Sequence, residues 1–240
     1  MSKKIYFEPF SEEIGLLYDR PTPAIEHLPD WYKNMPLHMD GENETGLSKD
    51  GVAVSNLTLK GCVPFLDAIA SGYMFTLPFD MELRRDYRGM INVRWATNMD
   101  FIGMHGPDQA PGLPVAFGAS SNTLKWRPGW RVSTPDGYSC LFTHPLNRED
   151  LPFRTLSGVV DTDTYKLGVE FPFQLIDPKK EITILERGMP ICQVIPFKRD
   201  NWISELIPFD EKANRKNGFE LKSKLARSYK LKFWQKKSYK

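Results

Sequence analysis

Residues Tyr138 to Arg199 read YSCLFTHPLNREDLPFRTLSGVVDTDTYKLGVEFPFQLIDPKKEITILERGMPICQVIPFKR, and this stretch decides the fold. Short runs of aromatic and β-branched residues are cut by Gly, Pro, Asn and Asp, the pattern of antiparallel strands joined by tight turns. Gly158-Val159-Val160-Asp161 carries a β-turn signature that delivers a carboxylate into a polar hairpin. After Gly188, a further strand carries Gln193. An acidic hairpin followed by a glutamine-bearing strand predicts a small β-barrel that presents a site for sugar and phosphate groups.

The same grammar extends upstream. Tyr73 to Leu83, Met90 to Ala96, Val115 to Phe117, Leu124 to Trp126, Trp130 to Ser133, Ser139 to Thr143, Val169 to Phe173, Glu181 to Leu185 and Ile191 to Pro196 all read as strands. Cys62 to Ser71 reads as one short internal helix, with Pro64 in its first turn and Gly72 as its stop. Before it, Pro9, Pro21, Pro23, Pro29 and Pro36 remove backbone donors and predict an extended arm. Trp31 and Tyr32 in that arm need cover from water, so the arm is expected to wrap over the body or a neighbouring subunit. Asp40 to Asp50 reads as an exposed loop. After Pro208, Asp210 can cap a basic C-terminal helix in which Leu221, Leu225, Tyr229 and Phe233 recur every fourth residue, with Gly218 splitting it into two pieces. The expected organisation is a Pro-rich arm and loop over residues 1–50, a β-barrel domain over 51–208 and a basic helix or tail over 209–240.

With 240 residues and 41% hydrophobic content, the chain can build a real core. It has no apolar run near the roughly 20 residues that span a bilayer, and its first residues lack a signal-peptide core, so an intracellular, cytoplasmic product without membrane partners is expected. Cys62, Cys140 and Cys192 are widely spaced in apolar settings and read as reduced core thiols. Net charge is +2, but eleven basic and two acidic residues from Glu211 onward give a local +9, which leaves −7 on the first 210 residues. The basic tail has two readings: docking on the acidic body, which the charge split favours, or nucleic-acid binding through phosphate contacts and aromatic stacking.

Other chemistries find little support. Ser133, Ser139 and Ser157 lack a Gly-x-Ser-x-Gly setting. His105 and Asp108, with His144, invite comparison with a two-histidine, one-carboxylate iron site, but the His-to-Asp gap is one residue too long to share a strand face. His27 and His38 stand in the arm without an evident partner, and no His-Cys cluster suggests zinc, so no metal ligand is expected. Asp161 as a turn cap, Tyr165 as core packing and Gln193 as a satisfied buried amide remain open beside any ligand role.

About 70 residues of this region resemble the trimeric dUTPase and dCTP deaminase superfamily. The matching pieces run in order: Pro135-Asp136-Gly137-Tyr138, His144-Pro145-Leu146-Asn147-Arg148 at a Pro-Arg-Ser position, Gly158-Val159-Val160-Asp161 with Tyr165, and Gly188 to Gln193. Ser71-Gly72-Tyr73-Met74 is a weaker upstream echo. The resemblance implies a distorted dUTPase-like β-barrel assembled as a homotrimer. It further implies a deoxynucleotide-like ligand, with Asp161 as the catalytic carboxylate that also accepts from the sugar, Tyr165 as the sugar platform, and Asn147, Arg148 and Gln193 on the phosphate side with magnesium bridging the phosphates. Leu146 and Asn147 stand where that family has arginine and serine, and Arg148 is the charged donor available one position on. Over its full length the chain also resembles an uncharacterised family of marine tailed phages and bacteria, through PTPAIEHLPDWYKNMP (21–36), CVPFLDAIASGY (62–73) and FTHPLNREDLPFRTLSGVVDTDTY (142–165). A phage source places the protein in the host cytoplasm or the virion. Two functions are therefore expected in competition: recognition, with hydrolysis or deamination, of a deoxynucleotide-like ligand, or a non-catalytic structural or host-interaction role.

Overall fold

The computed structural model describes residues 3–39, 45–47, 53–88, 91–98, 100–105, 109–115, 119–176, 181–222 and 228–239. Along the chain these form β1 (Tyr6–Pro9), α1 (Glu12–Leu17), β2 (Thr22–Pro23), α2 (Asp30–Asn34), β3 (Thr45–Leu47), β4 (Ala53–Ser55), α3 (Val63–Ala70), β5 (Tyr73–Thr76), β6 (Met81–Arg85), β7 (Ile91–Trp95) and β8 (Ile102–Met104). There follow β9 (Ala119–Trp126), β10 (Trp130–Ser133), β11 (Tyr138–Thr143), β12 (Phe153–Thr155), β13 (Gly158–Val160), β14 (Phe171–Ile176), β15 (Ile182–Leu185), β16 (Pro190–Lys198), α4 (Glu211–Lys222) and α5 (Ser228–Lys232). The chain divides into two units, one of Met1–His27 with Ser71–Arg199, the other of Leu28–Ala70 with Asp200–Lys240.

The first unit is mainly β, and its sheets are antiparallel. A five-stranded sheet runs β13-β11-β16-β5-β2, a four-stranded one β12-β14-β9-β8, and smaller sheets join β15-β6-β7 and β1-β10. Aromatic side chains from the two larger sheets meet in one core: Phe171 of β14 lies 5.9 Å from Phe75 of β5 and 6.1 Å from Phe142 of β11, ring centre to ring centre. Trp126 of β9 stacks on Phe173 of β14 at 3.7 Å, and its indole N–H donates to Thr155 Oγ1 at 3.2 Å, so the largest buried ring also has its polar atom satisfied. β16 buries its first five residues in a row, whereas β10, β6 and β15 alternate buried and more exposed positions, one face packing on the core.

A closed barrel requires an unbroken ladder from first strand to last. Here the larger sheets end on free ladder edges, at β13 and β2 and at β12 and β8, so among the described residues the barrel expected from the sequence is replaced by separate open sheets around one core. Tyr73 to Leu83 is two strands, not one, because Pro78 cannot donate to a ladder and Asp80 turns away to accept the Arg187 N–H at 2.7 Å. The Pro-rich segment is only partly extended. Tyr6–Pro9 is an edge strand in register with β10, where Glu8 and Arg131 pair at 2.9 Å, and Thr22–Pro23 adds to β5. Val115 lies in no strand, and Met90 and residues 116–117 lie outside the described residues.

In the second unit, Pro29 sits at the start of α2, where its missing N–H costs nothing. Tyr32 is buried against the Phe65 ring of α3, stacked at 6.0 Å, so α3 covers Tyr32, while Trp31, edge-on to the same ring, stays exposed. Part of the expected Asp40–Asp50 loop is a strand, since Thr45–Leu47 pairs with Ala53–Ser55. Asp210 caps α4 as expected, accepting from the Ala213 N–H at 3.0 Å, but α4 continues through Gly218. Leu225 lies outside the described residues. Tyr229 and Phe233 stay exposed, and the tail is anchored instead at Asp67 of α3, which accepts from Trp234, Lys237 and Tyr239. Cys62 is exposed rather than a core thiol, while Cys140 and Cys192 are buried. Among the described residues, no helix is long and apolar enough to cross a membrane.

Candidate functional site

Gly158 to Val160 is the strand β13, and the turn comes after it. Thr164 and Tyr165 both donate their backbone N–H to the Asp161 carbonyl, at 3.1 and 2.8 Å, which closes the 161–165 segment on itself. The register of β13 on β11 then sets Asp161 beside Ser139, whose hydroxyl donates to Asp161 Oδ1 at 2.6 Å. Arg199, just past the end of β16, reaches the same oxygen at 3.3 Å. The described contacts of the carboxylate all fall on Oδ1, and the side chain is 62% exposed.

The group that holds this turn is one the sequence reading did not single out. Asp163 has a side chain only 4% exposed, accepts the Gly137 N–H at 2.9 Å and grips the Arg199 guanidinium through both oxygens. Its pKa is held down to about 2, first by the Arg199 hydrogen bonds and then by the Gly137 N–H. Arg199 Nη1 also donates to the Tyr138 carbonyl at 3.0 Å, tying the turn to the start of β11. The available signal was the Asp161-x-Asp163 spacing together with a lone arginine ending a strand. It is weak because the pairing of β16 with β11 is a tertiary fact.

Beside the turn lies a groove of about 570 Å3 lined by Val159, Asp161, Thr164, Tyr165, Val169 and Glu170. A second hollow of about 610 Å3 shares Tyr165, Val169 and Glu170 with it and continues past Phe10, Ile14 and Tyr18. Glu170 is bridged by Lys125 at 3.0 Å and Arg127 at 3.1 Å, and Arg127 also pairs with Asp100. Asp161 and Tyr165, the expected sugar-side pair, are thus brought to one groove.

The expected phosphate-side residues are elsewhere. In the β11–β16 ladder Ser139 faces Phe197 and Thr143 faces Gln193, so Gln193 sits four residues along β11 from the Asp161 contact, about 13 Å at strand rise. Gln193 is fully buried; its Oε1 accepts the Leu146 N–H at 2.9 Å and its Nε2 donates to the Ser71 carbonyl at 2.7 Å. Asn147 is exposed in the turn at φ 60°, a conformation asparagine tolerates better than most residues. Arg148 forms a bidentate pair with Asp150, at 2.8 and 2.9 Å. These three residues build a turn, and none lines either groove.

His27 and His144 are held by local hydrogen bonds. Asp108 lies outside the described residues, and His27 hydrogen-bonds Thr22 at 2.6 Å. His144 is buried. Its Nδ1 accepts the Thr155 backbone N–H at 3.2 Å, so the proton is on Nε2 and is donated to the Arg148 carbonyl at 2.9 Å. Burial pushes its pKa below 6.5. The unfolded chain therefore takes up a proton first, and stability is expected to fall as pH drops below 6.5 until the folded pKa is passed. Thermal melts between pH 7.5 and 5 check this: His144→Asn should flatten the slope, and parallel slopes would refute the assignment.

Among the described residues no group of three or more His, Cys, Asp or Glu side chains is placed to hold a metal ion. The carboxylates nearest the turn, Asp161 and Asp163, already share the Arg199 guanidinium, a donor set that does not fit magnesium. No family model matches the chain, and comparison with curated proteins gives no significant match.

Proposed function

We propose that the groove at Asp161 and Tyr165 recognises a nucleoside-like ligand, a planar ring carried on a hydroxylated sugar. The observation that carries this reading is the convergence of an exposed carboxylate and an exposed aromatic ring on one groove, with Val159 and Val169 as its apolar walls. Asp161 accepts from a sugar hydroxyl, and Tyr165 offers a face for the ligand. The Gly158-Val159-Val160-Asp161 and Tyr165 resemblance to the dUTPase and dCTP deaminase superfamily supports the same ligand class. Because Asn147, Arg148 and Gln193 are engaged in a separate turn, the proposed recognition is of base and sugar. Turnover of a triphosphate by a trimer is the more demanding version and draws only on the resemblance.

A thermal-shift panel of deoxynucleosides, ribonucleosides and the corresponding triphosphates, with and without magnesium, separates these versions. At least one deoxynucleoside is expected to raise Tm, by an amount equivalent to about 2.7 kcal/mol at a hundredfold excess over Kd. Its triphosphate should raise Tm by no more. Asp161→Asn and Tyr165→Ala should each weaken binding at least tenfold. If no nucleoside or nucleotide moves Tm at millimolar concentration, the ligand reading is wrong. A large preference for the triphosphate would instead require a phosphate site.

A further inference from the structure

Directly after Arg199, residues Asp200–Asp210 read DNWISELIPFD and form neither helix nor strand. Trp202, Ile203, Leu206, Ile207 and Phe209 are each between 76 and 98% exposed. Five large apolar side chains within eight residues, all facing water, far exceed the scattered surface hydrophobics of an ordinary protein. The segment's own sequence argues against a lipid surface, because Asp200, Glu205 and Asp210 interleave the apolar residues and no cation lies among them.

The same chain carries a matching seat. Helix α1 buries none of its residues, leaving Leu16 86% and Leu17 50% exposed. Ile14 of that helix lines the 610 Å3 hollow together with Phe10, Tyr18 and Leu167, and Phe10 and Leu167 are themselves more than half exposed. The hollow carries the Asp100–Arg127–Glu170 ion pairs on one side, and with its rim it offers a largely apolar surface of the kind that accepts an extended segment.

We propose that the arm 202–209 docks into the Phe10–Leu16–Leu167 surface of a second copy of this chain, so that two copies exchange arms. Area and charge both argue for a second copy as the occupant. Five side chains of this size hide on the order of 700 Å2 and their seat a like amount, so two reciprocal arms exceed the roughly 1,600 Å2 of a standard stable interface. The chain from Glu211 onward carries +9 against −7 on the first 210 residues, so the tail that follows each arm is attracted by the body of the other copy. The inference rests on the arm and α1 and stands without the ligand reading at Asp161, although the hollow shares Tyr165, Val169 and Glu170 with that groove.

Sedimentation of the full chain at 1–100 µM tests it, using an arm variant (I203D with L206D) and a seat variant (L16D). The changed positions are exposed, and unchanged circular dichroism confirms that folding is intact. The wild type is expected to run as a dimer or larger, each variant should weaken association at least a hundredfold, and a mixture of the two variants should regain a complex through its one intact arm and one intact seat. A monomeric wild type overturns the proposal, whether its arm proves protected within the same chain or the protein co-sediments with anionic vesicles. An arm variant that keeps the wild-type mass overturns it too, and a seat variant that does so overturns the seat.

Discussion

Replacing Gln193 with leucine is expected to lower the stability of the first unit by roughly 2–6 kcal/mol while leaving the proposed ligand recognition at Asp161 unchanged. Its amide spans two backbone groups from distant parts of the chain, the Leu146 N–H and the Ser71 carbonyl, inside a strand with no solvent access. Leucine is similar in size but neither accepts nor donates. The substitution strands one donor and one acceptor where water cannot compensate, and each such loss costs about 1–3 kcal/mol. For a protein of this size the melting temperature should fall by about 5–15 °C. A residue kept for a ligand behaves in the opposite way, because removing a polar group poised for a ligand leaves the free protein as stable or more so and weakens binding. Melting and nucleoside titration on the same variant therefore separate the roles: a large drop in Tm with unchanged affinity is expected, and unchanged Tm with lost affinity would return Gln193 to the site.

That contrast explains how far the sequence could be read. Strands such as Trp130–Ser133 and Tyr138–Thr143 were legible within a residue of their ends, because β-branched and aromatic runs bounded by Gly, Pro and Asp are a local signal. Strand Tyr6–Pro9 was not, because Pro9 and the prolines after it argue against a ladder, yet an edge strand needs donors on one side only. The order of Asp161, Tyr165 and Gln193 along the chain was also plain, and it suggested one site. Register decided otherwise: β16 faces β11 so that Arg199, not Gln193, arrives beside Asp161. Pairing register is a property of two distant segments, and nothing within either segment states it. Buried amides and turn asparagines look identical in sequence to ligand groups, since both roles use the same hydrogen-bonding atoms.

Gly72→Ala is expected to be the other severe substitution, and for a reason that can be divided experimentally. Gly72 follows α3 at φ +71°, a left-handed conformation that costs an L-residue about 1–2 kcal/mol. At this position a Cβ also lands 2.0 Å from the Val194 carbonyl oxygen and 2.9 Å from its carbon, which are backbone atoms of β16 held in the ladder with β5. They cannot swing aside as a side chain can, so relief requires β5 and β16 to part where Gln193 ties Ser71 and where the Gly72 carbonyl accepts the Ala24 N–H at 2.9 Å. Overpacking of this kind adds about 1–3 kcal/mol, for a total of roughly 2–5 kcal/mol. Gly137 supplies the control. It has φ +80° but nothing within 4 Å of a built Cβ, so Gly137→Ala should show the conformational cost alone. A Gly72→Ala melt several degrees below that of Gly137→Ala is the expected result. Equal losses would mean that the strand pair yields to the methyl group, and that the close approach of Gly72 to β16 does not hold this part of the sheet together.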